Sequence, residues 1–387
     1  MFNIQTLNKI SEYGTDNFDK AKYNIADTID NPDAIMVRSA AMHDMAFGSN
    51  LLAIARAGAG VNNIPVDKCA EAGICVFNTP GANANAVKEL VIAGLLLSSR
   101  NIPDAMVWAQ TLKGNGAEVG KMVEKGKGQF VGPEIMGKTL GVIGLGAIGV
   151  LVANAAIALG MKVVGYDPFL SVKAALGLDP KAVAVSNIKD VYAAADYITI
   201  HVPYNADTKG TINADTIAMM KDGVRILNFA RGELVDTDSI LAALESGKVS
   251  AYVVDFPSDE VLGVKNVIAI PHLGASTPES EDNCAMMAAL ELIDYIENGN
   301  IKNSVNYPDA EMTASGTKVC IMHKNIPSVI SHISAAFGDE KINIDNMLNK
   351  SKKDYAYTMV DAAGNVTDAI IAKLTAIDSV IKVRVIK

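Results

Sequence analysis

Three glycines within six residues, Gly144, Gly146 and Gly149, restrict this chain more than any other stretch of its sequence. They follow the apolar run Leu140-Gly-Val-Ile143 and precede an uncharged segment that reaches Met161, after which come Lys162-Val-Val-Gly-Tyr166 and Asp167. The order reads strand, turn, helix, strand, acid. In G-x-G-x-x-G spacing the first glycine makes the tight turn, the second lets a pyrophosphate approach the backbone, and the third lets helix pack on strand. A helix opening at Ala147 and Ile148 aims free N–H groups and the positive end of its dipole at that phosphate position, so no basic side chain is needed there. None is present. Asp167, 23 residues beyond Gly144, falls where an acid accepts hydrogen bonds from an adenosine ribose and repels a 2′-phosphate, which favours NAD over NADP. Hydropathy alone reads this stretch differently, because residues 139 to 161 are uncharged and long enough for a membrane span. The glycines would break such a span in its first third, and the flanking Val-Ile and Val-Val pairs suit parallel strands buried on both faces.

At 387 residues the chain exceeds one core and suits two or three domains. A net charge of −9 without a basic block argues against nucleic-acid binding, so any anionic substrate must be held locally. Cys69, Cys75, Cys284 and Cys320 form no C-x-x-C pair and no metal-ligand spacing with the five histidines. Buried free thiols in a reducing cytoplasm, and no metal, are therefore expected. The N-terminus lacks the charged start and apolar core of a signal peptide, so neither export nor a membrane partner is expected.

Residues 1 to 95 alternate short apolar runs (34–37, 51–55, 74–77) with helical stretches, as a small parallel α/β unit does. Arg38-Ser39 ends one run, and Arg56-Ala-Gly-Ala-Gly-Val-Asn-Asn63 ends another in a glycine loop with exposed N–H groups. Taken alone, Arg38 is equally a solvated surface arginine, and Gly58 and Gly60 ordinary turn residues. An apolar helix from Ala86 to Ser99 bridges to the next domain. Residues 101 to 136, with the sole Trp108, read either as an arm against a partner chain or as a loose surface excursion. Strand-like runs recur at 197–201, 225–228, 251–255 and 267–270, with a helix at 237–245 closed by Gly247. Ligands of a doubly wound sheet sit at the carboxyl ends of its strands, and His201, Pro203, Arg231, Asp255 and His272 all fall there. After a helix at 283–298 and a polar linker at 313–316, residues 317 to 387 read as βαββαβ, a ferredoxin-like order.

Four segments together resemble the NAD-dependent D-isomer-specific 2-hydroxyacid dehydrogenases: Gly144-Leu-Gly-Ala-Ile-Gly149, Asn228-Phe-Ala-Arg-Gly-Glu-Leu-Val-Asp236, Val254-Asp-Phe-Pro257 followed by Glu260, and Pro271-His-Leu-Gly-Ala-Ser-Thr277. The resemblance covers essentially the whole chain, and the tail is similar to an ACT domain. It implies an α/β fold in which a Rossmann-type doubly wound parallel sheet (96–282) is inserted in a smaller flavodoxin-like substrate domain (1–95 and 283–306), followed by the βαββαβ domain (317–387). It also implies a homodimer or homotetramer.

The chemistry it implies is oxidation of a phosphorylated 2-hydroxy acid by NAD. His272 would be the acid–base group, since an imidazole changes protonation near working pH. Glu260, 29 residues after Arg231, would hydrogen-bond His272 and raise its pKa, while Arg231 would clamp the substrate and polarise the reacting oxygen. His201, Pro203, Thr208, Ala230, Asp255 and Gly274 would lie on the cofactor, with the residues from Gly144 to Gly149 and Asp167. Arg38, Ser39 and Asn83 would contact the substrate, and Gly58 and Ala59 would form its carboxylate loop. In the tail His323, Asn325 and Asn343 would hold an amino-acid effector between two such domains. Ser328 stands after Pro327 where the family often has glycine, and a side chain there would crowd that site. Two other activities share the scaffold. A glyoxylate or hydroxypyruvate reductase would leave Arg38 without an anion, and an NAD-sensing interaction protein would not need Arg231, Glu260 and His272 together.

Overall fold

Short runs of Val, Ile and Ala flanked by turns become parallel strands covered on both faces. The computed structural model describes residues 1–386, so Lys387 of the expected tail domain lies outside the described residues. The first sheet comprises β1 (Phe2–Leu7), β2 (Tyr23–Ala26), β3 (Ala34–Val37), β4 (Ala53–Arg56) and β5 (Cys75–Asn78). All its pairs are parallel in the order β2-β1-β3-β4-β5.

The second sheet comprises β6 (Thr139–Ile143), β7 (Lys162–Tyr166), β8 (Val183–Ala184), β9 (Tyr197–Ile200), β10 (Val224–Asn228), β11 (Val249–Val254) and β12 (Val267–Ala269). Its order, β12-β11-β10-β9-β6-β7-β8, is parallel throughout and reverses direction between β6 and β9. That reversal is the switch point at which doubly wound sheets take their ligands. The third sheet holds β13 (Thr317–Lys324), β14 (Asn343–Lys352), β15 (Tyr355–Ala363) and β16 (Val380–Ile386). It is antiparallel in the order β14-β15-β13-β16 and, with the helices Val329–Asp339 and Asp368–Thr375, has the expected βαββαβ order.

The chain divides into one unit of residues 1–82 with 278–386 and another of 83–277. Both expected borders move. The helix Ala84–Ser99 belongs to the second unit because it buries Val91 and Leu95 beside Phe229 and Val253, and its Gly94 leaves only 2.8 Å between an added Cβ and the Phe229 ring. The helix expected at 283 begins at Pro278, so the border at 282 falls at 277 instead. Residues 101 to 136 are mostly helical: Ile102–Thr111 and Val119–Gly126 pack through Trp108, whose ring meets Phe130 at 5.3 Å and Gly126. Among the described residues no single helix is long and apolar enough to cross a membrane; only Ala84–Ser99 with Ile102–Thr111 passes that test, as a pair bent by 64°.

The tail joins the first sheet's unit instead of standing beyond a linker. Period-two alternation gives β13 two apolar faces. Val319 and Ile321 pack with Ile333, Phe337, Ile370 and Leu374 of the tail helices, while Cys320 and Met322 join Phe77, Leu292 and Tyr295. The helix Pro278–Asn298 has no basic residue in its last turn to answer its carbonyl end. The tail supplies the cations. Arg384 donates to the carbonyls of Tyr295 (3.2 Å) and Ile296 (2.9 Å), and Lys318 donates to Asn298 (2.7 Å) and Met312. Gly299, at φ +70°, ends the helix where an added Cβ would stand 2.5 Å from the Cys320 sulfur.

Candidate active site

The three glycines each meet a different constraint. Gly144 turns at φ +93°, and an added Cβ would stand 2.7 Å from the His201 carbonyl oxygen. Gly149 lies against the same turn, its added Cβ 1.9 Å from the Gly144 oxygen, so helix and strand touch through bare backbone. An added Cβ on Gly146 would meet nothing within 4 Å. This glycine is the N-cap of the helix Ala147–Ala158 and no side chain caps it, so the helix end beside the open space at Gly146 keeps unsatisfied N–H groups. The Asp167 carboxylate accepts from Leu145 N (2.9 Å) and Phe169 N (2.8 Å), tying the end of β7 to the glycine turn.

Across the switch point, His201 follows β9. Its Nε2 meets Thr199 Oγ1 at 2.9 Å and its buried Nδ1 has no protein partner. Burial lowers its pKa to about 3, so the ring is neutral. Beyond it, Thr208 Oγ1 donates to the Pro203 carbonyl at 2.6 Å and closes the loop.

The strand ends of β10, β11 and β12 hold the candidate catalytic residues Arg231 and His272. Asn228, the last residue of β10, donates from Nδ2 to the Arg231 carbonyl (2.8 Å) and accepts from Ala230 N (3.2 Å), which shapes the loop that presents Arg231. The exposed guanidinium donates to the Ala230 carbonyl at 2.7 Å and lies over the Phe256 ring, 5.1 Å from its centre. Asp255 follows β11 at 2 % exposure, and its Oδ1 has no partner. Desolvation pushes its pKa up to about 6 against the pull of Arg231. The His272 N–H donates to the Asp255 carbonyl (2.9 Å) at the left-handed φ of +36°, a strained conformation for histidine. Its exposed ring packs 4.1 Å, centre to centre, from Phe256. Buried Gly274 keeps the following turn close, with 3.6 Å between an added Cβ and Asp255 Oδ2. Glu260 sits exposed in the turn Asp259–Val261, where hydrogen bonds from Ser258 and from its own amide hold its pKa below the usual range. Ser258 thus helps to fix the carboxylate in this turn.

In the other unit, Arg38 and Arg56 end or follow neighbouring parallel strands, with Val37 opposite Arg56. Arg56 Nε donates to the Arg38 carbonyl at 3.1 Å, and Arg38 pairs with Glu281 at 2.7 Å. Ser39 N–H donates to Asn8 Oδ1 (2.9 Å), which fixes the loop after β3. Gly58, at φ +149°, leaves space for the Arg56 guanidinium, which an added Cβ would meet at 2.6 Å. Its carbonyl accepts from Thr79 N (3.1 Å), and that of Ala59 accepts from Asn78 Nδ2 (2.6 Å). Asn83 belongs to the second unit, where it precedes the helix Ala84–Ser99 without capping it through its side chain.

The expected effector residues do not converge within one chain. His323 is 3 % exposed with both ring nitrogens engaged: Nδ1 with the Lys324 carbonyl (2.8 Å), Nε2 with Thr358 Oγ1 (2.8 Å). Asn325 holds the Lys353 carbonyl (3.0 Å) at the same end of the sheet, while Asn343, opposite Ala363, lies at the other end. Ser328 has φ +69°, so the backbone keeps the glycine-like conformation with a serine in it.

Two residues here are not singled out by the sequence motifs. Arg56 heads the glycine loop, and two neighbouring apolar runs each leading to an arginine are its readable signal. Phe256 lies within a motif, and nothing in the sequence brings positions 231, 256 and 272 together.

Residues 92–274 match the family model described as "D-isomer specific 2-hydroxyacid dehydrogenase, NAD binding domain". The chain is 37 % identical over 293 residues to a D-3-phosphoglycerate dehydrogenase of Synechocystis sp., covering 73 % of this chain and 50 % of that one. Thus it spans about half the length of that curated relative. A D-3-phosphoglycerate dehydrogenase of Haemophilus influenzae is 32 % identical over 340 residues, covering 84 % of this chain and 79 % of its own length. The chain belongs to the D-isomer specific 2-hydroxyacid dehydrogenase family. The fold agrees: the NAD+-bound 3-phosphoglycerate dehydrogenase of Entamoeba histolytica superimposes with a TM-score of 0.61 at 27 % identity, covering 79 % of this chain and 98 % of that one. The matched domain is an NAD binding domain, and the cofactor is NAD. The open cradle at Gly146 and the unpartnered Asp255 Oδ1 and His201 Nδ1 fit a dinucleotide.

Proposed function

We propose that the chain oxidises 3-phospho-D-glycerate to 3-phosphohydroxypyruvate with NAD, the first step of L-serine biosynthesis, in the cytoplasm. The observation that carries this reading is the meeting of Arg231 and His272 on one aromatic ring at the strand ends, beside Asp255. NAD, when bound, supplies the hydride acceptor. His272 takes the hydroxyl proton as the secondary alcohol becomes a ketone, and Arg231 holds the substrate carboxylate and the oxygen on which charge develops. Glu260 would orient the imidazole. Neutral His201 adds no positive charge beside the cofactor. Arg38 and Arg56, side by side at two strand ends, supply the charge a phosphate dianion needs, with Ser39, Gly58, Ala59 and Asn83 as further substrate contacts.

NADH absorbance across phosphorylated and unphosphorylated 2-hydroxy acids tests this. Arg38→Ala should raise KM for the phosphorylated acid about 10- to 100-fold and leave an unphosphorylated acid unaffected. His272→Ala should lower turnover by about 10³-fold with NAD affinity kept. The ion pair of Arg38 with Glu281 favours a second reading, reduction of glyoxylate or hydroxypyruvate, and faster turnover of unphosphorylated acids would establish it. NAD binding without turnover of any acid would make the chain an NAD-sensing interaction protein.

Assembly and regulation belong to the same proposal. The helices Ile102–Thr111 and Val119–Gly126 bury none of their own residues and expose Met106, Val107 and Met122, which suits an arm covered by a second copy in a homodimer or homotetramer. The tail would act as an ACT domain, its effector site completed by Asn343 of another copy. Initial rates with and without millimolar serine test that role, and unchanged rates would remove it.

A further inference from the structure

Phe256 touches both groups assigned to the chemistry. Its ring centre is 4.1 Å from that of His272, the planes at 40°, and 5.1 Å from Arg231 Cζ. An aromatic face carries negative potential, so it attracts a guanidinium and favours imidazolium over imidazole. The ring is held from both sides along the chain. Asp255 before it donates its N–H to the Asn228 carbonyl (3.3 Å) and accepts from His272 N (2.9 Å), while Pro257 after it has a fixed φ. His272 at φ +36° is strained, and such a conformation persists only where neighbours over-determine it.

We propose that Phe256 is a positioning residue: one ring that fixes the separation of Arg231 and His272 and stabilises the protonated imidazole during the reaction. This rests on the reading of His272 as the acid–base group. Charged groups on the surrounding elements include Arg231 after β10, Glu233 in the turn that follows it, Asp255 after β11, and Asp259 and Glu260 in the turn Asp259–Val261. The guanidinium opposes the imidazolium, the carboxylates favour it, and the aromatic face adds to the carboxylates' side. Leucine at position 256 would fill apolar space without the face, whereas tyrosine or tryptophan would keep it.

The test is an NMR titration of the His272 ring in the full chain, its resonance assigned among the five histidines by its absence in His272→Gln. Phe256→Leu should lower the His272 pKa by about half a unit, and Phe256→Tyr should restore it. In oxidation of 3-phospho-D-glycerate the acidic limb of kcat against pH should move down by the same amount. Plateau kcat should fall about tenfold with NAD affinity and melting temperature unchanged. Pentafluorophenylalanine at the same position keeps the shape and inverts the face potential, so it should shift the titration as leucine does even if the leucine variant fails to fold. A wild-type titration in both variants overturns the proposal. Absence of turnover in the unsubstituted chain overturns the reading of the activity, while the titration still decides the role of Phe256.

Discussion

The buried cations of the tail and the strand ends of the second sheet treat polar burial in opposite ways, although the first unit also leaves Asn63 Oδ1, Thr79 Oγ1, Glu291 Oε2 and Tyr295 Oη without a partner. In the unit of 1–82 with 278–386, Lys318 is 6 % exposed, yet its ammonium is answered by two backbone carbonyls; Arg384 likewise answers Tyr295 and Ile296, and Lys382 answers Leu51 at 2.8 Å. In the unit of 83–277, Asp255 Oδ1 and His201 Nδ1 are buried with no protein partner. Desolvating a polar atom costs free energy unless a hydrogen bond replaces water. The first set, answered by backbone carbonyls, is scaffold. The second lies at the strand ends beside the switch point, where a doubly wound sheet takes its ligand.

The sharpest way to break this contrast lies in the glycine turn. Gly149→Ala should destabilise the 83–277 unit by on the order of 4 kcal/mol, since its Cβ would meet a backbone oxygen at 1.9 Å. Gly146→Ala, with nothing within 4 Å, should leave the melting temperature unchanged and weaken NAD binding about tenfold or more by calorimetry. Equal loss of stability in both would remove the distinction between scaffold and ligand space.

Next in size is the tail clamp. Arg384→Met strips two helix-end carbonyls of their donor and should cost the first unit about 2–4 kcal/mol in denaturant, with NAD affinity unmoved. A tenfold loss of NAD affinity would show that the clamp also serves the cofactor.

The smallest effect sharpens the comparison at Glu291, which is 7 % exposed, accepts from Asn303 Nδ2 at 2.7 Å through Oε1, and leaves Oε2 without a partner. Burial pushes its pKa up to about 8, so the folded chain keeps it protonated at neutral pH while the unfolded chain ionises it near 4.5. With the folded value raised, the stabilisation is full below the unfolded pKa and is lost as pH rises through about 8. Glu291→Gln should therefore match the parent near pH 4.5 and become more stable than it by about 1–3 kcal/mol near pH 8. Parallel stability curves would show that Glu291 is ionised in the folded state.

Legibility in the sequence follows the same divide. The glycine turn, Asp167 and the strand-end positions of His201, Arg231, Asp255 and His272 were readable because each depends on neighbours within a few residues. Arg56, the Phe256 ring and the seating of the tail are not, since they depend on partners 16 to 331 positions away that no local pattern announces. His323 is the converse case: a motif singles it out as an effector contact, but no local pattern announces its hydrogen bond to Thr358, 35 positions on.

The core of the first unit draws Phe77 and Tyr295 together with Tyr357, although ~200 residues of the other unit intervene in the chain. At ribosomal rates of about 5–20 residues per second, the opening 82 residues wait tens of seconds for their packing partners, whereas 83–277 is contiguous and can close as it emerges. During biosynthesis the nucleotide-binding half thus matures first, and the exposed apolar strands of the opening segment are the natural target for chaperones.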